Sequence, residues 1–189
     1  MSAEVETPDQ RKMNKSLVAL VVAAIVIVPS AFFLGRSSND GAESNSATSL
    51  PASLLDVALG FHNSGRLDDA LRSYAAVLKS DPTNKFALYN IGVIEQQRGN
   101  LKPAIERYSA VLAIDPAFNP ARYNRGLAYR DSKVIELAIE DFSAVIKNDP
   151  KNASAMYNLG QVYISLGRTD EGSTLVARAL EINPTLDSK

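Results

Sequence analysis

The chain of 189 residues contains no cysteine. That absence removes disulfides, thiolate metal sites, a lipid-modified cysteine anchor and a cysteine nucleophile together. Histidine is nearly as scarce: His62 stands alone, so an imidazole-rich metal site has no second ligand. Net charge is small, -1 formally, and from Pro51 onward acidic and basic residues balance. A nucleic-acid binder carries a basic excess, and none is present. Also missing are a phosphate-binding glycine loop, a nucleophile elbow and a paired-histidine metal motif. The carboxylates fall mostly in turns and on solvated faces, so the sequence reads as a non-enzyme with no cofactor and no metal.

What is present first is an apolar run, LVALVVAAIVIVPSAFFL, from Leu17 to Leu34. As a helix rising about 1.5 Å per residue it reaches roughly 27 Å, close to the hydrocarbon thickness of a bilayer. A signal peptide has a shorter apolar region and small residues before its cleavage point, whereas Phe32, Phe33 and Leu34 continue this run beyond Ala31. A retained signal anchor is expected. Arg11, Lys12 and Lys15 precede it and only Arg36 follows closely, which places the N-terminus in the cytoplasm and the rest outside it. The organisation reads as a tail (1–16), a transmembrane helix (17–35), a polar tether (36–50) and a larger domain (51–189). The tether is small and polar, the composition of a flexible coil.

The domain is a repeat. KSDPTNKFALYN at Lys79 returns in layout as AIDPAFNPARYN at Ala113 and KNDPKNASAMYN at Lys147, each 34 residues on. Pro82, Pro116, Pro150 and Pro184 keep the same spacing and define four units: 51–84, 85–118, 119–152 and 153–186. Each splits into two helical patterns. Gly65, Gly99 and Gly167 mark the break between them in three units and Lys133 in the third; glycine ends a helix there without a Cβ clash. Small residues recur at place 8 (Ala58, Gly92, Gly126, Gly160) and place 20 (Ala70, Ala104, Ala138, Gly172). Large ones recur at place 11 (Phe61, Tyr129, Tyr163) and place 24 (Tyr74, Tyr108, Phe142). Ridges thus meet grooves.

This layout resembles the tetratricopeptide repeat family, over Pro51 to about Leu186. Departures are Glu95 at place 11, Val176 at place 24, and Arg122 and Arg125 in place of an apolar pair. The resemblance implies an all-α solenoid, a right-handed superhelix of helix pairs whose first helices line a concave face. It also implies a protein or peptide partner. On the matching places, Tyr89, Asn90, Tyr123, Asn124, Arg130, Tyr157, Asn158 and Gln161 would line the groove, where asparagine amides can bond a peptide's main chain. The same Tyr and Asn residues could instead be contacts between helices. Relatives that clamp a terminal carboxylate add Lys and Arg, but unit one offers Leu55 and Asp56, so that clamp is incomplete.

Two further contacts are open. Arg122 and Arg125 share a helical face and either hold an acidic group of a partner or pair with Asp131, Glu136, Glu140 or Asp141. Leu175, Val176 and Leu180 lie in the last helical pattern with little sequence after them, which suggests an uncovered C-terminal contact face. His62 reads as a groove or surface residue. The functional expectation is a membrane-anchored adaptor or assembly factor for a membrane or membrane-proximal complex. The alternatives are a homo-oligomer joined through the last unit, aided by the small pair Ala31 and Gly35, and an organelle-surface receptor whose array faces the cytosol.

Overall fold

Each Asp-Pro step does three jobs in the computed structural model, which describes residues 49–187. The aspartate leaves the helical region, with φ of -135° at Asp81 and Asp115 and -133° at Asp149. Its backbone N–H still donates to the carbonyl four residues back, at 2.8 Å from Val77, Val111 and Val145. Its side chain then accepts the N–H two residues on, from Thr83, Ala117 and Lys151, at 3.1 Å in each case. The proline between cannot extend the helix, so the chain turns at the same place each time. Asn183 repeats the arrangement, accepting from the Thr185 N–H at 3.2 Å.

The helices that result run in chain order: α1 (Ser49–Asn63), α2 (Leu67–Ser80), α3 (Lys85–Gln97), α4 (Leu101–Ile114), α5 (Asn119–Asp131), α6 (Ile135–Asn148), α7 (Ala153–Ser165) and α8 (Thr169–Ile182). A 3-10 turn follows at Pro184–Asp187. Among the described residues there is no strand. Odd and even helices form pairs, and each pair packs on the next, which is the all-α solenoid expected. Asn84 and Asn152 cap α3 and α7 by accepting the N–H of Ala87 and Ala155 at 3.0 Å. At α5 that place is Phe118, which makes no cap bond, and Pro120 opens the helix instead.

Within pairs the turns are alike even where the sequence differs. Gly65, Gly99 and Gly167 have φ of +74°, +78° and +78°, and Lys133 adopts +64°. The lysine therefore keeps the glycine geometry at a conformational cost. Small residues set the helix approach. A Cβ on Gly92 or Gly126 would meet the ring of Tyr108 at 2.7 Å or Phe142 at 2.9 Å. In the last pair the aromatic is replaced by Val176, and a second glycine compensates. A Cβ on Gly160 would lie 2.7 Å from the Gly172 carbonyl oxygen, and one on Gly172 would lie 2.6 Å from that of Gly160.

The apolar run Leu17–Leu34, the tail 1–16 and most of the tether lie outside the described residues. α1 begins at Ser49, two residues ahead of the domain start expected at 51. Among the described residues no helix is long and apolar enough to cross a membrane.

Replacing Lys133 by Gly is expected to stabilise the protein by about 1 kcal/mol, by relieving the left-handed backbone. Gly160→Ala is expected to lose about 1–2 kcal/mol, because the backbone oxygen of Gly172 cannot yield without moving a helix. Urea denaturation followed by circular dichroism tests both signs.

Candidate functional site

The Tyr-Asn places turn inward, and they join one helix pair to the next. Asn124 on α5 donates its amide N–H to the Tyr89 hydroxyl on α3 at 3.0 Å. Asn158 on α7 donates to the Tyr123 hydroxyl on α5, also at 3.0 Å. Asn158 further donates to the Ser154 carbonyl at 2.8 Å and accepts from Arg130 Nη1. Tyr89 is 5 % exposed and Asn124 8 %, so neither offers its polar atoms to a ligand. Of the two roles open to these residues, the structure gives Tyr89, Tyr123, Asn124 and Asn158 that of contacts between helices. Burial pushes the Tyr89 hydroxyl up to about 12, against a smaller opposing effect of the Asn124 bond. Burial likewise raises Tyr123. Both phenols therefore stay protonated through the physiological range.

The ladder stops at its N-terminal end for an identifiable reason. Unit one has Leu55 where the others have tyrosine, so Asn90 turns its amide to its own helix and donates to the Phe86 carbonyl at 2.8 Å. Tyr157 and Asn90 are half-buried and Gln161 is exposed. Those three are the members of the expected groove set that make no hydrogen bond across a junction.

All three arginines of the third unit are engaged. Arg125 forms a two-pronged bond to Asp141, both prongs at 2.8 Å, and donates to Ser109 Oγ at 3.0 Å. Asp141 is 2 % exposed, and its bonds hold the Arg125 guanidinium above its ordinary pKa against the effect of burial. Arg122 lies 3.8 Å from the same carboxylate and donates to the Pro116 carbonyl. Arg130 pairs with Asp131 at 2.9 Å. The internal pairing considered for Arg122 and Arg125 is thus the one observed.

The C-terminal face is smaller than expected. Leu175 packs on the clusters of Phe142, Leu159 and Val162 and of Ala153, Met156 and Ala179. Val176 reaches the Gly160 backbone. Leu180 is half-buried, while Ile182 is exposed at 43 %. Leu186, from the 3-10 turn, folds back on Met156 and Ala179. His62 is half-buried on α1 with Nε2 sealed from solvent. Among the described residues no cluster could hold a metal ion.

One feature escaped the sequence. An open cavity of about 450 Å³ lies between the turns at Asp81 and Asp115, lined by Lys85, Phe86 and Ile114 among others. Lys85 pairs with Asp115 at 2.6 Å and sits 5.4 and 5.3 Å from the ring centres of Phe86 and Phe118. The available signal was Phe118, which occupies a place held by asparagine at Asn84 and Asn152.

Helix pairs of this length, packed through small residues and turned at Asp-Pro, define a helical-repeat interaction protein. Two tetratricopeptide repeat family profiles match the chain, at residues 58–118 and 131–188, together more than half its length. The array belongs to the tetratricopeptide repeat family. No curated protein sequence matches. Among solved structures, MamA 41-end from Desulfovibrio magneticus RS-1 is 25% identical, covering 72% of this chain and 77% of that one, with a TM-score of 0.66. A tetratricopeptide repeat protein from Parabacteroides merdae ATCC 43184 is 25% identical over 71% of this chain and 54% of its own, with a TM-score of 0.65. A further MamA structure, at 19% identity, covers 99% of this chain and 100% of its own with a TM-score of 0.68, and shows likeness of fold.

Three outcomes are expected of these bonds. A double-mutant cycle between Tyr89→Phe and Asn124→Ala should give a coupling of about 0.5–1.5 kcal/mol in chemical denaturation. Asp141→Ala should cost about 2–4 kcal/mol, since it strands a partly buried guanidinium. Changing Arg125 and Asp141 together to Leu should recover most of that loss, because the equivalent places in the last pair are Leu159 and Leu175.

Proposed function

We infer that this chain is a membrane-anchored adaptor or assembly factor whose tetratricopeptide array binds a protein or peptide. The observation that carries the reading is the locked array itself. Hydrogen bonds at successive junctions hold the first helices in fixed relation, which gives a preorganised surface at little ordering cost on binding. Asn90, Tyr157 and Gln161 then supply polar contacts that the array does not need for its own junctions. The Leu17–Leu34 run supports the anchor, and the flanking positive charges support an extracytoplasmic array. A coiled tether of that length would keep the array within roughly 20 Å of the bilayer, so its partners would be membrane complexes or proteins close to the surface.

Capture from gently solubilised membranes, using the full chain and a variant carrying Asn90→Ala and Gln161→Ala, tests this. The variant should keep the stability of the native protein and lose the partner. A partner retained at full yield, or recovery of the chain only with itself, would move the contact off this face. Release of the chain from membranes by alkaline wash would reject the anchor.

A further inference from the structure

The repeat supplies its own control for a buried pair at the N-terminal end. On α3 and α4, Tyr108 is fully buried and its hydroxyl donates to Gln96 Oε1 at 2.8 Å. One unit earlier the same two places are Tyr74 and His62. Tyr74 is also fully buried, and the imidazole stands edge-on to its ring with centres 6.4 Å apart. Here, however, the Tyr74 hydroxyl and His62 Nε2 are both sealed from solvent and both without a hydrogen-bond partner. Two orphaned buried groups side by side are costly. A neutral imidazole with its bare nitrogen at Nε2 is the acceptor that the tyrosine hydroxyl lacks, and it occupies the place of the glutamine that serves Tyr108.

We propose that His62 and Tyr74 form an acid-sensitive latch, in which neutral Nε2 accepts the Tyr74 hydroxyl and protonation of His62 opens the first helix pair. Once protonated, Nε2 can no longer accept, and a positive charge is left against an apolar cluster that contains Ala58, Ile91 and Ile94. No carboxylate of the nearby elements acts on His62, whose pKa is shifted by burial alone. On α2, Asp69 is paired with Arg66 and Arg72, and Asp68 with Arg98 of α3's end. On α3, Glu95 accepts from Asn100. On α1 itself, Asp56 is exposed and six positions away. The other units cannot act this way, because their matching places are Gln96, Arg130 and Ile164. The latch is therefore local to α1 and α2.

The sign follows from linkage. Burial holds the His62 pKa below its ordinary 6.5, so between the two values the unfolded chain binds more protons than the folded one. The contribution to stability is present above the unfolded pKa and is lost as pH falls through the folded one.

Because the chain has one histidine, its imidazole resonance can be followed without assignment in the intact protein in detergent, alongside amide hydrogen exchange corrected for intrinsic rates. His62 should titrate below its ordinary value. Protection of α1 and α2 should fall about tenfold more than that of α7 and α8 between about pH 7.5 and 5.5. His62→Gln should abolish that difference by restoring the arrangement of Gln96 with Tyr108. Tyr74→Phe should move the His62 titration upward, which provides an arm that stands if the glutamine variant does not fold. Titration at or above the ordinary value, equal loss of protection at both ends, a pH response that survives His62→Gln, or an unmoved titration in Tyr74→Phe would each overturn the latch.

Discussion

The bonds from the Asn124 and Asn158 amides to the tyrosine hydroxyls of the preceding unit tie neighbouring helix pairs together, and the register of the array builds on them. In a solenoid each pair touches only its neighbours, so an error at one junction is carried along the array. Here the junctions from α3 to α5 and from α5 to α7 carry the same bond at the same length. Its low-dielectric setting strengthens it and makes its loss costly. The rings around it fit the same purpose: Tyr89 lies edge-on to Phe118 at 5.4 Å and beside Tyr108 at 5.9 Å, and Tyr123 lies beside Phe142 at 5.8 Å. The tyrosine body fills the junction while its tip orients it.

Why the pairs were legible in sequence and the ladder's role was not comes down to the distance over which each signal acts. Helix ends are local: Asp81 with Thr83, or Gly99 with its positive φ, express rules that span a few residues. The small residues at places 8 and 20 also read correctly, because both members of the contact lie within one unit. The ladder's partners are 35 residues apart, one unit plus one residue. Adjacent Tyr-Asn pairs in the sequence suggest two parallel stripes on a surface, whereas the bond that forms runs from one stripe to the other across a junction. Arg130 and Asn158, 28 residues apart, were hidden in the same way. The direction of a side chain within a helical array depends on the superhelical angle, which no single unit encodes.

The polar third unit gains a meaning from this dependence on register. Four similar units can in principle be mispaired, since any second helix resembles the surface that any first helix packs on. Arg125 opposite Asp141 is satisfied; Arg125 opposite Leu175 would leave a charge buried without a partner. A buried ion pair adds little net stability over an apolar pair, but it penalises the wrong neighbour heavily. Ser109 extends the check to the preceding unit, because Arg125 bonds it as well as Asp141. One unit thus marks its own place in the series.

The same logic bears on where a partner could be told apart from any other. A group present at the same place in each unit offers the same contact repeatedly, and here the most regular groups are committed to the junctions. Discrimination must come from places where the units differ and the side chains are open. Lys85, Phe86 and Ile114 surround one such place, where the next junction has Asn119 and Asn148 bonded to each other at 3.0 Å. Val134 and Leu137 are another: both are exposed, at 38 % and 39 %, where the first and last units carry the ion pairs Arg66 with Asp69 and Arg168 with Glu171. Apolar area left open where sister units close it with charge is not needed for the fold, since those units fold without it.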